Sequence, residues 1–280
     1  MFNGKELPRI EFGLADISQE AQKMAGKLSI SGVQPKLSVK WDRKKNLLVS
    51  VAVGGGYILK PQTQNFPNIP ENEQCCMDMA QILGIGIPEH CLIPLSDGSL
   101  SYCIARFDRK GLKKIHQEDF AQILGRGDKY KGSVEEIGME LKQISSAPGL
   151  DAQLFFERVV FNFLIGNGDA HLKNYSILYS DENEARLTPA YDLVSSKLVI
   201  LGEADSALTI NGKKNKLSGN DFQGLARYLN IPQKIRYEKF DRKLNIMSKA
   251  IKNSKLDKEK RAAFVEIINE RFQRIGLQVV

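Results

Sequence analysis

Asp169, Lys173 and Asn174 fall within the run NGDAHLKN, Asn167 to Asn174, and a further aspartate, Asp192, follows in TPAYDLVSS. An Asp and an Asn five residues apart, with a second Asp after a short hairpin, is spacing suited to moving a phosphoryl group. In that chemistry the first Asp, Asp169, accepts the proton of the attacking hydroxyl. Asn174 and Asp192 supply oxygen ligands to magnesium, a hard cation that prefers octahedral oxygen coordination. Lys173 brings positive charge toward the transferred phosphoryl. His171 is open to two readings, a hydrogen-bonded structural imidazole or a contact to nucleotide and catalytic-loop groups. Asn-Gly-Asp by itself marks a turn, so the reading rests on the set and on no single member.

Phosphoryl transfer also needs a cradle for the donor's phosphates. Neither GxGxxG nor the GxxxxGK[ST] loop occurs. In their place stands SISGVQPKLSVK, Ser29 to Lys40, a Ser-Gly loop running into a strong strand. Loop amides ahead of a strand hold phosphate oxygens, and Lys36 is within reach of them. Gly54, Gly55 and Gly56 lie between two strands and read as a turn or bulge. Lys60 ends the apolar strand YILKP and resembles a buried-strand lysine aimed at phosphates. Glu73, early in the following helix, is its natural ion partner. An edge-strand cation is the competing reading for Lys60.

The elements that must position these groups change character along the chain. KLSVKW and LLVSVAV flank the turn DRKKN as a hairpin, GGGYILK adds a short strand, and HCLIPL and SLSYCIARF add two more. Between them NIPENEQCCMDMAQILGI reads as a helix burying Cys75, Cys76, Met79, Ile82 and Leu83 and ending at Gly84. From about Phe107 the periodicity is helical, in Gln117–Gly125, Ser133–Ser145 and Asp151–Gly166, with Ser133 and Asp151 as N-caps. Helices return at SGNDFQGLARYL, KIRYEKFDRKLNIMSKAIK and DKEKRAAFVEIINERFQRI. An α+β protein is predicted, with a β-rich N-terminal lobe over 1–106 and a helical lobe over 107–280.

Totals narrow the classes. At 280 residues, 42% hydrophobic and 26% charged, the chain has room for two cores and an ordinary globular composition. No apolar run reaches the roughly 18 residues a membrane span requires, and MFNGKELPRIEF lacks a signal-peptide layout. A cytoplasmic protein with no membrane partner is expected. Cys75, Cys76, Cys91 and Cys103 form no CxxC pair, so neither a zinc site nor a disulfide framework is indicated. The net charge of +7 is concentrated in Lys213–Lys216 and the C-terminal third. It fits a solvated surface or attraction to an acidic partner. Aromatic residues are not interleaved with the basic ones, which argues against a single-strand stacking platform.

Taken together, SISGVQPK, YILKP, ENEQ, ARFDR, NGDAHLKN and LTPAYDLVS resemble, in order and spacing, the HipA-type toxin kinases, serine/threonine kinases of bacterial toxin–antitoxin modules. The resemblance implies a two-lobed protein-kinase-like fold using ATP and Mg²⁺. It implies a phosphate-binding loop at Ser31, Gly32, Val33, Gln34 and Lys36, with Lys60 on the ATP phosphates. Ala105, Arg106 and Phe107 would lie beside the adenine, with Ala105 contacting it through backbone only. Asp169 would be the catalytic base, His171, Lys173, Asn174, Tyr191 and Asp192 would line the nucleotide site, and Asn174 and Asp192 would bind Mg²⁺. Autophosphorylation would fall on Ser29 or Ser31. The loop motif begins by residue 29, as in the short HipT-like forms whose missing N-terminal subdomain is supplied by a small antitoxin protein. With no helix-turn-helix visible, DNA would be reached only through a DNA-binding antitoxin.

The implied activity is a toxin kinase acting on an aminoacyl-tRNA synthetase and thereby arresting translation. Two other readings compete with it. One is a related kinase secreted to act on host proteins. The other is a nucleotide-binding regulatory subunit of an antitoxin–DNA complex, which would have no need of Asp169, Asn174 and Asp192.

Overall fold

Leu37 and Val39 turn inward along the first strand, β1 (Leu37–Asp42), while Lys40 faces out, the alternation of a strand with one buried face. These observations come from a computed structural model that describes residues 1–2, 6–17, 35–63, 66–111, 113–182 and 184–278. Asn46, at φ 49°, closes the DRKKN turn, and Oδ1 of Asp42 accepts from the amides of Lys44 and Lys45. The turn brings β2 (Leu47–Ser50) antiparallel to β1. With β3 (Tyr57–Pro61), β4 (His90–Pro94) and β5 (Leu100–Ala105) they form an antiparallel sheet of order β2-β1-β3-β5-β4. Strand β3 starts later than the sequence pattern predicts. Gly54 takes φ 79°, and Gly55 presses so closely on Ser38 that a Cβ there would collide with its hydroxyl.

Contacts divide the chain into two compact units, Met1–Gln74 with Pro88–Lys114, and Cys75–Ile87 with Ile115–Val280. The first holds the five-stranded sheet, with a core that includes Ile10, Leu37, Val39, Leu48, Leu59 and Ile93. It also carries a two-stranded ribbon, β6 (Arg109–Lys110) with β7 (Lys113–Lys114). The division falls within helix α1 (Ile69–Ile82), after Gln74. Cys75, Cys76, Met79 and Leu83 are buried as expected, but Ile82 is 48% exposed. Met77 and Ala80 are buried instead, so the buried arc is centred near Cys76 and Leu83, and Ile82 lies just past its edge.

The second unit is mainly helical: α2 (Phe120–Ile123), α3 (Val134–Ile144), α4 (Pro148–Leu164), α5 (Gly219–Tyr228), α6 (Leu244–Asn253) and α7 (Lys258–Ile275). A small antiparallel sheet, order β10-β9-β8, joins β8 (His116–Asp119), β9 (Ser176–Tyr179) and β10 (Ala185–Leu187). Helix α3 begins where expected, at a capping box in which the Ser133 side chain accepts from Glu136 N, and the Glu136 side chain from Ser133 N.

Three helical expectations change. Gln117 to Asp119 are strand, paired with β9, and only at Asp119 does a capping box with Gln122 start a single helical turn. Asp151 is not a cap: α4 starts earlier, with proline in its first turn. The buried Asp151 carboxylate instead accepts from Ser145 Oγ (2.6 Å), Leu187 N (2.9 Å) and the Arg186 guanidinium, tying the start of α4 to β10. Finally, the expected helix over KIRYEKFDRKLNIMSKAIK breaks at Arg242, whose φ of 60° no helix tolerates, leaving a 3-10 turn at Gln233–Ile235 and α6 from Leu244.

Candidate active site

The most hydrophobic helix ends in the loop that holds the chemistry. In α4 the side chains of Phe155, Phe156, Val160, Phe161 and Leu164 are fully enclosed. The helix stops because Gly166 adopts the left-handed conformation, φ 68°, with Gly166 N donating to Phe163 O and Asn167 N to Asn162 O. Asn162 breaks the apolar run for a reason: its Oδ1 accepts from Asn167 Nδ2 (2.9 Å) and its Nδ2 donates to Tyr175 Oη (3.1 Å). Asn167 Oδ1 in turn accepts from the amide of Asp169 (3.3 Å). A chain of buried amides therefore fixes where the loop leaves the helix and where Asp169 emerges.

The next turn is the 3-10 segment Leu172–Asn174, closed by Asn174 Oδ1 accepting from His171 N (2.9 Å). Nδ2 of Asn174 lies 3.4 Å from Oδ2 of Asp192, which joins the two candidate magnesium residues directly. Asp192 holds φ 54°, an unusual conformation for a residue with a side chain, and its carbonyl accepts from Asn167 Nδ2 (3.5 Å). Tyr191 braces the same loop: its hydroxyl donates to Lys173 O (2.9 Å) and shares a short hydrogen bond with Ser176 Oγ. Burial pushes that phenol well above its ordinary value, so it stays protonated. The Lys173 side chain is exposed, as is Asp169.

His171 is buried, and burial followed by the Lys129 charge holds its imidazole below the usual value, against the pull of Asp169 and Asp192. A neutral ring results. Its Nδ1 is buried without a hydrogen-bond partner among the described residues.

Candidate oxygen donors for a magnesium ion would be Asp192 and Asn174; the Asn174 amide turns its nitrogen toward Asp192, and its oxygen keeps a second lone pair after meeting His171 N. Among the described residues no group of three or more His, Cys, Asp or Glu could hold a metal ion. Two protein oxygens completed by water and phosphate are nevertheless the usual magnesium arrangement, so the donor set fits.

In the first unit, Lys60 and Glu73 come together. Nζ of Lys60 lies 2.5 Å from Oε1 of Glu73, with side-chain exposures of 5% and 1%, and 5.6 Å from the centre of the Tyr102 ring. Lys60 is thus a buried, paired lysine and not an edge cation. At the end of β5, Ala105 N donates to Glu89 O and Arg106 N to Gly56 O, so both amides are committed. The Arg106 side chain clasps Asp108 through two hydrogen bonds, Nε to Oδ1 (2.9 Å) and Nη2 to Oδ2 (2.7 Å). Phe107 is half-buried and Lys36 directly precedes β1. Ser29, Ser31, Gly32, Val33 and Gln34 lie outside the described residues.

The sequence reading overlooked three contributors. Tyr130 donates its hydroxyl to Asp169 Oδ1 (2.8 Å). Ser196 Oγ accepts from Gly168 N (2.8 Å) and donates to Glu203 Oε2 (2.5 Å). Gly168 itself is packed so tightly that a Cβ would collide with the Ala204 carbonyl, which makes glycine a requirement there. All three relationships span long stretches of chain. Only the Gly in NGD carried a local signal.

A family model described as "HipA-like C-terminal domain" matches residues 28–270. The chain belongs to that family. A Sinorhizobium fredii protein named "Putative kinase Y4dM" is 37% identical over 235 residues, covering 77% of this chain and 57% of that protein. The "Serine/threonine-protein kinase toxin HipA" of Shewanella oneidensis is 28% identical over 207 residues, 66% of this chain and 47% of its own length. This chain therefore spans about half the length of these HipA-like relatives. A solved Shewanella oneidensis structure, of HipA with HipB and operator DNA, superposes with a TM-score of 0.75 at 21% identity, covering 98% of this chain and 74% of that one. The HipA-like fold is α+β and protein-kinase-like, as the sequence resemblance implied. Among the described residues no helix is long and apolar enough to cross a membrane.

Proposed function

We propose that this HipA-like chain is an ATP- and Mg²⁺-dependent protein serine/threonine kinase, the toxin of a bacterial toxin–antitoxin system. The observation that supports it best is the clasp of Asn174 on Asp192, closing the same loop that carries the exposed carboxylate of Asp169. An acid-base group next to two hard oxygen donors is the equipment of phosphoryl transfer. Asp169 accepts the proton of a serine or threonine hydroxyl as its oxygen bonds to the γ-phosphorus and the bond to ADP breaks. Asn174 and Asp192 would hold magnesium, which would supply charge to neutralise the phosphates. Lys60, oriented by Glu73, binds the nucleotide phosphates. His171, Lys173 and Tyr191 line the nucleotide site, with Ala105 to Phe107 beside the adenine.

The protein substrate in this reading is an aminoacyl-tRNA synthetase, whose phosphorylation halts translation. Ser31 to Lys36 form the phosphate-binding loop, and phosphate added at Ser29 or Ser31 opposes ATP binding by placing about two negative charges beside it. Antitoxin partners, one of them DNA-binding, restrain the toxin in the cytoplasm. The Shewanella HipA bound with HipB and operator DNA supports that last part by analogy.

Radiolabelled ATP added to the protein and a bacterial lysate, followed by mass spectrometry, tests the whole reading. Label is expected on a synthetase and on Ser29 or Ser31, and both signals should vanish in Asp169→Gln. Label that persists in that variant would overturn the kinase assignment, and label on the toxin alone would remove the synthetase.

A further inference from the structure

A carboxylate that must take a proton from one particular hydroxyl has two equivalent oxygens and a freely turning end. Unless something holds it, part of its population points the wrong way. At Asp169 one oxygen is already engaged. The phenol of Tyr130 donates to Oδ1 at 2.8 Å, and among the described residues Oδ2 accepts no hydrogen bond. Burial, and then the neighbouring Asp169, push the Tyr130 phenol up to about 12, so at neutral pH it remains a donor.

Tyr130 is itself anchored on several sides, although it is 42% exposed. Its amide donates to Asp128 Oδ1 (2.9 Å) and its carbonyl accepts from Lys214 Nζ (3.2 Å). The carbonyl of the preceding Lys129 accepts from Leu172 N (3.1 Å), which ties the segment to the same loop that carries Asp169. The ring meets His171 edge-on, with centroids 5.3 Å apart at 81°, and Lys129 Nζ sits 4.8 Å from the ring centre. A hydroxyl fixed this firmly acts as a reference point for the carboxylate it touches.

Resting on the kinase reading above, we infer that Tyr130 is the positioning residue of the catalytic base: it holds Oδ1 of Asp169 so that Oδ2 faces the substrate hydroxyl. The proton is transferred to Oδ2, and Tyr130 keeps its own throughout. In this role Tyr130 acts only through Asp169, so its loss is expected to slow turnover and leave nucleotide affinity alone.

The test uses the full chain with Mg²⁺, radiolabelled ATP and dephosphorylated casein as acceptor. Tyr130→Phe keeps the ring and its edge contact with His171, so the fold is retained. We expect the single-turnover rate to fall about 10- to 100-fold, with half-saturating ATP changed less than about twofold. The decisive comparison places the same change in an Asp169→Asn background. A residue that works through Asp169 has nothing left to position there, so the double variant should transfer no more slowly than Asp169→Asn alone. Multiplied losses would mean a role independent of Asp169 and would overturn the inference. So would faster transfer in Tyr130→Phe, or phosphate found on Tyr130 in the wild type, since either would make the phenol an occupant of the acceptor's place. If the wild type transfers phosphate, Asp169→Asn does so far more slowly and Tyr130→Phe matches the wild type, only the positioning role fails. If the wild type transfers nothing to casein, to a bacterial lysate or to itself, the kinase reading fails and this role with it.

Discussion

Lys60 and Glu73 form a salt bridge of 2.5 Å with both side chains almost wholly buried. Burying two charges costs more than their attraction usually returns, so such a pair is weak evidence for stability and better evidence of another purpose. Here the purpose follows from the side chain that is oriented: a lysine near the end of β3, held by a glutamate in the first turns of α1, the next helix along the chain.

Removing one partner should therefore be far worse than removing both. Glu73→Ala takes away the carboxylate beside Lys60 and is expected to cost about 3 kcal/mol in urea unfolding. The Tyr102 face, 5.6 Å from Nζ, keeps that cost at the low end of the range. Lys60→Met with Glu73→Leu should recover most of the loss, because apolar groups of similar volume need no charge compensation. Nucleotide binding, measured by fluorescence of an ATP analogue, should stay weak in the double variant. Recovery of binding together with stability would refute the role of Lys60.

How much of this was legible beforehand depended on distance along the chain. Asp169, Asn174 and Asp192 lie close enough in sequence for one loop and one hairpin to bring them together, and Lys60 and Glu73 are a strand and a helix start. Tyr130, Ser196 and Glu203 were invisible because nothing local to them encodes contact with Asp169 or Gly168. The fold shows the same pattern. Alternation revealed the strands of the first sheet, whereas Gln117 to Asp119 carry the same periodicity as the helical residues after them. Only pairing with β9, far along the chain, makes them strand. Asp151 looked like a cap because an acidic residue ahead of an apolar run usually is one. Its true partners, Ser145 and Arg186, are side chains that no local rule names.

Gly168 offers a test of packing at the loop. Oε2 of Glu203 would lie 2.5 Å from a Cβ at this position, and the Ala204 carbonyl, being backbone, has little room to retreat. Gly168→Ala should therefore destabilise by about 1–3 kcal/mol. It should also lower phosphoryl transfer on the order of 100-fold, because the base moves with the loop. Gly224→Ala, in α5 with nothing nearer than 3.8 Å, is the control and should stabilise by up to about 1 kcal/mol. Thermal melts of the two proteins decide the matter, and similar melting temperatures would contradict the collision.

Asp221 ties stability to acid. It closes the capping box of α5 with Ser218 and accepts from Asn211 Nδ2 (3.0 Å) and Lys213 Nζ (2.9 Å). Burial alone would raise its pKa, but the donors from Asn211, Lys213 and Ser218 outweigh it and hold the carboxyl at about 2. The folded value lies below the unfolded one, so between roughly pH 4 and pH 2 the unfolded chain binds more protons and stability falls with pH. Asp221→Asn should accordingly be less stable than the wild type at pH 7, and the gap should narrow as pH drops through that window. Urea midpoints taken at several pH values measure it. A gap constant from pH 7 to pH 2 would show that the ionised carboxylate is not what stabilises this end of the helix.

Asp192 and Asn174 separate folding from metal binding. At φ 54° Asp192 occupies a conformation that Asn tolerates nearly as well, since both short polar side chains visit the left-handed region. Asp192→Asn should thus melt within a few degrees of the wild type while losing at least about 100-fold in magnesium-dependent turnover, the carboxylate being the stronger metal ligand. Asn174→Ala differs because Oδ1 also closes the 3-10 turn through His171 N. That variant should lose about 1 kcal/mol of stability along with activity, the typical cost of a missing cap. Isothermal titration with magnesium and a non-hydrolysable ATP analogue, set beside the melts, distinguishes the two. Should Asp192→Asn bind magnesium as the wild type does, the ligand assignment falls and the clasp between these residues is structural.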